Sequence, residues 1–157
     1  MAMQTDVKST HAATSGLVVG YRTRLKGAVI FPFSGATGYS AFVNNVSISG
    51  TYARSTTTAT ITSANHGLST GQWVYLDWDL ADNPYQVTVV DANSFTVTVA
   101  NSGATSGNVT IWTQMLLQAD ASNATAFNIV IPGEGILAPD GIRVFLAADI
   151  HATVFYG

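Results

Sequence analysis

Cysteine is absent from these 157 residues, which removes disulfide scaffolds, Cys-ligated structural zinc and thiol nucleophiles together. Charge is scarce as well. Asp, Glu, Lys and Arg make up 10% of the chain, against the roughly 25% usual in soluble globular domains. With so few charges to keep its exterior wet, a chain that is 47% hydrophobic is expected to cover part of that exterior with partner molecules. The formal net charge of -3 argues against a general nucleic-acid binder, which carries a clustered basic surface. No apolar run approaches the roughly 18 residues that a membrane helix needs. The opening Met1-Ala2-Met3-Gln4-Thr5-Asp6 leads into no apolar core of a secretory signal. Neither membrane nor nucleic acid is an expected partner.

What is present is β-strand chemistry. Apolar residues recur at spacing two and are separated by Gly, Ser, Thr and Asn, a pattern that excludes long amphipathic helices. Predicted strands are Gly16 to Val19, Arg22 to Phe31, Tyr39 to Val43, Ala59 to Ser63, Trp73 to Trp78, Tyr85 to Val90, Ser94 to Val99, Val109 to Trp112, Met115 to Ala119, Ala126 to Ile131, Gly135 to Leu137, Ile142 to Leu146 and His151 to Tyr156. Many short strands between turn residues point to an all-β sandwich or barrel.

From about Val46 to Trp112, Thr, Ser and Asn dominate, and most acidic residues before Asp120 fall there. This stretch reads as an inserted module, residues 46-112, forming a small β-barrel near the lower size at which a domain folds alone. The flanks, 1-45 and 113-157, are then expected to form one discontinuous β-sandwich, jelly-roll-like in type. A hairpin tip between the Tyr39 and Met115 strands offers the adjacent chain ends that an insertion requires.

Two sets of phrases carry a resemblance. The flanks contain Thr5-Asp6-Val7-Lys8-Ser9, the basic strand Tyr21-Arg22-Thr23-Arg24-Leu25-Lys26-Gly27, then Ile131-Pro132-Gly133-Glu134-Gly135-Ile136-Leu137 and the final Ala152-Thr153-Val154-Phe155-Tyr156-Gly157. In this order they resemble a small protein of tailed bacteriophages, particularly marine phages of the T7-like group. Within the insert, residues 60–68, 70–76 and 85–91 are similar to a small β-barrel that recurs in phage tail and other virion proteins. The resemblance implies a virion structural protein; capsid decoration is the leading expectation for its role, with a tail or neck protein as the alternative. It leaves the station in the particle open.

Chemistry-bearing residues are sparse. The histidines, His11, His66 and His151, have no ligand spacing, and His66 before Gly67 is expected to bond local backbone and shape a turn. Asp77, Asp79 and Asp82 lack the ligand pattern and central glycine of a calcium loop and read as a solvated strand face. Gly133-Glu134-Gly135 after Pro132 reads as a turn, with no helix following to bind phosphate and no second carboxylate paired with Glu134. No catalytic residue, metal site or cofactor is therefore expected, and the chain is not expected to be an enzyme.

The sharpest polar feature is Arg22, Arg24 and Lys26. Spacing of two puts all three on one side of a strand, with Tyr21, Thr23 and Leu25 on the other. Four of the six basic residues lie in the first 26 positions. As a stripe they would dock on an acidic capsid or tail surface and set its register; the alternative is an ordinary wet strand face. Phe155 and Tyr156, in an aromatic last strand, are the other candidate partner-binding residues. The expected partners are further copies of the chain, a trimer being the natural closed form, and the major capsid protein or other virion proteins. Exposed Trp or Tyr among the hydroxyl residues of the insert also fits a surface module that binds host glycan.

Overall fold

The computed structural model describes residues 6–122 and 125–157. The opening residues Met1 to Thr5, read above for a signal and for the first resembling phrase, lie outside them. Two compact units form, one from the chain up to Asn45 and from Leu116 onward, the other from Val46–Met115.

Among the described residues, the strands in chain order are β1 (Lys8–Ala12), β2 (Gly16–Val19), β3 (Thr23–Pro32), β4 (Gly38–Asn44), β5 (Ile48–Ser55), β6 (Thr58–Thr62), β7 (Trp73–Trp78), β8 (Asn83–Gln86), β9 (Thr88–Asp91), β10 (Ser94–Thr98), β11 (Ser106–Trp112), β12 (Met115–Ala121), β13 (Phe127–Val130), β14 (Ile136–Ala138), β15 (Ile142–Leu146) and β16 (Ile150–Tyr156). A 3-10 turn, Phe33–Gly35, follows β3. No helix among the described residues is long and apolar enough to cross a membrane.

The flanking unit is an antiparallel sandwich. One sheet runs β1-β16-β3-β13, with β14 also on β3, and the other runs β12-β4-β15-β2. Alternation explains the packing. On β3, Leu25, Ala28 and Ile30 point inward and are fully buried, and on β16 Ile150, Ala152 and Val154 do the same. They meet Phe42 of β4 and Ile142 and Val144 of β15 in one core. Each fully buried Leu, Ile or Phe there contributes roughly 1.5 to 3 kcal/mol of transfer free energy. Two glycines permit close backbone contacts. A Cβ on Gly27 would sit 2.5 Å from the Ile129 carbonyl oxygen of β13, and Gly141, at φ +102, packs its Cα face against the Val19 carbonyl of β2. The strands that leave and re-enter this unit, β4 and β12, are neighbours in its second sheet.

The Val46–Met115 unit is one seven-stranded antiparallel sheet, β8-β7-β11-β5-β6-β10-β9, curled into a half-barrel around its own core. Ile61, Val74, Leu76, Phe95 and Ile111 are fully buried inside the curl. Its two edge strands, β8 and β9, are consecutive in sequence, so a single residue, Val87, carries the chain from one edge to the other. Val87 is 1% exposed, donates its N–H to the Gln72 carbonyl and accepts from Gly71 N–H, both at about the 3 Å of a good hydrogen bond. The predicted continuous strand from Tyr85 to Val90 is therefore two strands with a sharp crossing between them. β1 and β5 are strands where none is predicted, β11 begins at Ser106 rather than Val109, and several other limits differ by one or two residues.

Candidate functional site

The outer face of the flanking unit's first sheet lies outside the core. Cross-strand register defines it: Ser9, Phe155, Gly27 and Val130 lie in one row, His11, Thr153, Val29 and Asn128 in the next, and His151 with Phe31 in a third. These ten positions carry no Asp, Glu, Lys or Arg. Val130 is 73% exposed and Phe31 38%, and Phe33, just beyond β3, is 61% exposed. An uncharged outer sheet face with aromatic and aliphatic side chains is unusual for a surface meant only for water.

Charge gathers at one end of that sheet. There a cleft of about 400 Å³ is lined by Asp6, Lys8, Tyr21, Arg22, Thr23, Arg24, Leu137, Tyr156 and Gly157. Arg22 and Arg24 meet in it as two members of the predicted basic stripe. Lys26 does not join them. The pairing skips Lys26, with Tyr156 opposite Leu25 and Phe155 opposite Gly27, so β3 bulges here and its strict alternation breaks. Lys26 Nζ instead donates to the Glu134 carbonyl at 2.8 Å, and Arg24 Nη1 donates to the Gly135 carbonyl at 3.3 Å. The Gly133-Glu134-Gly135 turn thus accepts from the basic strand through its backbone.

Tyr21 departs from its expected place. It precedes β3 and is 53% exposed in the cleft rather than inward beside Thr23 and Leu25. Lys8 stands over it, with Nζ 5.7 Å from the ring centroid and 3.4 Å from the hydroxyl. Sequence reasoning missed Lys8, because only the pairing of β1 with β16 brings it to this end of the sheet. The two C-terminal candidates separate. Phe155 belongs to the outer face, whereas Tyr156 is buried in the sandwich core with its hydroxyl 3.2 Å from Thr10 Oγ1.

In the other unit, His66 is buried at 6% exposure and shapes a turn. Its Nδ1 accepts from Leu68 N–H at 3.0 Å, so the ring proton sits on Nε2, which faces the Asp91 carbonyl at 3.0 Å. Asp77 and Asp79 are exposed, and Asp82 Oδ1 accepts from Trp78 N–H at 2.9 Å, closing the turn after β7. A shallow groove of about 420 Å³ runs beside Trp73, which is 44% exposed, with Thr70, Gln86, Thr88 and Thr98 along it.

Two ionisable groups of this unit are displaced from their ordinary behaviour. Burial pushes the Tyr52 phenol pKa up, with Asp79 adding to the rise and Arg54 opposing it. The Asn93 backbone N–H, then the Ser94 side chain, hold the exposed Asp91 carboxyl below the usual carboxylate range. Both belong to structure. No three His, Asp or Glu side chains among the described residues converge on a metal-sized point. Compared with known proteins, the chain matches no family model and no curated protein.

Proposed function

We propose that this is a non-enzymatic structural protein of a tailed-bacteriophage virion that acts by packing against copies of itself and against shell protein. The observation that carries this reading is the uncharged outer face of the β1-β16-β3-β13 sheet, bordered at one end by Lys8, Arg22 and Arg24. Such a face gains about 25 cal/mol for each Å² of apolar surface it removes from water, before association costs are subtracted. The cations contribute orientation and register more than affinity. Repetition over a shell sums weak contacts into firm attachment. Capsid decoration is the form that uses these features most fully; a tail or neck position would use the same face at lower copy number.

A second reading is favoured by the Trp73 groove. An exposed indole beside three threonine hydroxyls and a glutamine amide has the surface chemistry of a sugar-binding platform, which would make the Val46–Met115 unit a host-glycan module.

The deciding experiment is the copy number of the chain in purified particles, by quantitative mass spectrometry against the major capsid protein. Hundreds of copies support decoration, and a ring-sized number, about a dozen or fewer, supports neck or tail. Absence from the particle overturns the virion reading. Within a positive result, replacing Arg22, Arg24 and Lys26 together by Ser is expected to leave the fold intact and lower occupancy, and unchanged occupancy removes the basic end from the docking contact.

A further inference from the structure

Histidines far apart in the sequence become neighbours when β1 pairs with β16. His11 stands opposite Thr153, and His151 lies on the same face two residues before Thr153 on β16. Their ring centroids are 5.7 Å apart at an interplanar angle of 70°. Two imidazoles on one tetrahedral metal, each with a metal–nitrogen distance near 2.0 Å, place their centroids about 5 Å apart.

The surroundings favour the same use. His11 Nδ1 is 3.3 Å from Thr153 Oγ1, and in the tautomer where Nδ1 donates to that hydroxyl, Nε2 carries a lone pair able to bind a metal. Phe33 stacks on His151 at 5.6 Å and 6°, and Phe31 meets His11 edge-on at 6.4 Å. These contacts hold both imidazoles side by side. No cationic side chain occupies the neighbouring positions of the face to compete for the site. His66, the third histidine, has both ring nitrogens engaged by its own unit and cannot serve as a ligand.

We propose that His11 and His151 are a chelating pair for a divalent first-row transition cation such as zinc, nickel or copper, with solvent completing the coordination. The pair stands independently of the virion reading. The test is calorimetric titration of the untagged full-length protein with nickel chloride. One ion per chain is expected, and His11→Gln and His151→Gln are each expected to lower affinity by more than about tenfold, the scale on which even the outer partners of a metal ligand act. No binding by the unaltered protein, or unaltered affinity in both variants, overturns the proposal.

A second readout needs no substitution. Substoichiometric copper(II) should broaden the imidazole proton resonances of both His11 and His151 in the NMR spectrum and spare those of His66. Broadening of one ring alone, of neither, or of all three equally overturns the chelate.

Discussion

Asn44 and Asp140 satisfy each other twice: Asn44 Nδ2 donates to Asp140 Oδ2 at 2.8 Å, and Asp140 N–H donates to Asn44 Oδ1 at 3.0 Å. Asn44 is 3% exposed and ends β4, and the next residue, Asn45, donates its N–H to the Gly141 carbonyl and accepts from Arg143 Nε. The chain is thus pinned to the β14–β15 turn just before it leaves the sandwich.

Asn44→Ala is expected to cost about 2 kcal/mol, because it removes two hydrogen bonds and leaves the Asp140 N–H without its partner beside the gap left by a buried side chain. Asn44→Asp is expected to be worse at neutral pH, where two carboxylates would face each other, and to recover as acid protonates one of them. Urea unfolding of both variants at neutral and acidic pH measures this; an Asn44→Asp variant insensitive to acid would contradict the contact.

His66→Ala should destabilise the Val46–Met115 unit by about 2 to 4 kcal/mol, since it opens a cavity beside Phe95 and leaves Leu68 N–H and the Asp91 carbonyl without their ring partner. Hydrogen exchange is the appropriate readout. Faster exchange at Leu68 and along β9 and β10, with β3 and β16 unchanged, is the expected pattern.

Tyr52 is buried, packs edge-on against Trp78 at 5.0 Å, and has a hydroxyl with no hydrogen-bond partner among the described residues. Tyr52→Phe is therefore expected to be neutral or stabilising by about 1 kcal/mol. Because the folded state raises the phenol pKa, the unfolded chain ionises first. The stability held below the ordinary value of 10.0 is then lost as pH rises through and beyond it. Chemical denaturation in alkaline buffers should show the advantage of Tyr52→Phe widening with pH; a constant difference would contradict the burial argument.

Asp91 gives the opposite sign. Its carboxylate accepts the Asn93 N–H at 2.7 Å in the turn between β9 and β10, which lowers its folded pKa. The contribution is complete above the ordinary carboxylate range and disappears as pH falls through the lowered folded value. The stability difference between the unaltered protein and Asp91→Asn should accordingly shrink on acidification, as followed by thermal unfolding across the acidic range.

How legible these features are in the sequence depends on how local their causes are. The limits of β2, β7 and β15 follow from alternation and flanking turn residues. β5 escapes because Tyr52 is its only fully buried residue and Gly50 interrupts it; that glycine is required because a Cβ would lie 2.7 Å from the Thr62 carbonyl oxygen of β6. β1, Lys-Ser-Thr-His-Ala, has no apolar rhythm and exists because β16 offers it an edge. The outer face was invisible for the same reason, since its rows combine residues from both ends of the chain. The bulge at Lys26 depends on the register with β16, which no local pattern records.

Synthesis order follows from the topology of β3. Every strand it bonds to, β13, β14 and β16, emerges from the ribosome after the Val46–Met115 segment. That segment holds all the partners of its own sheet and can close as soon as it is released, while β1 to β4 wait for the strands that follow it. Most of the sandwich is thereby assembled only after the insert has emerged, and its folding rate is governed by loop closure across that insert.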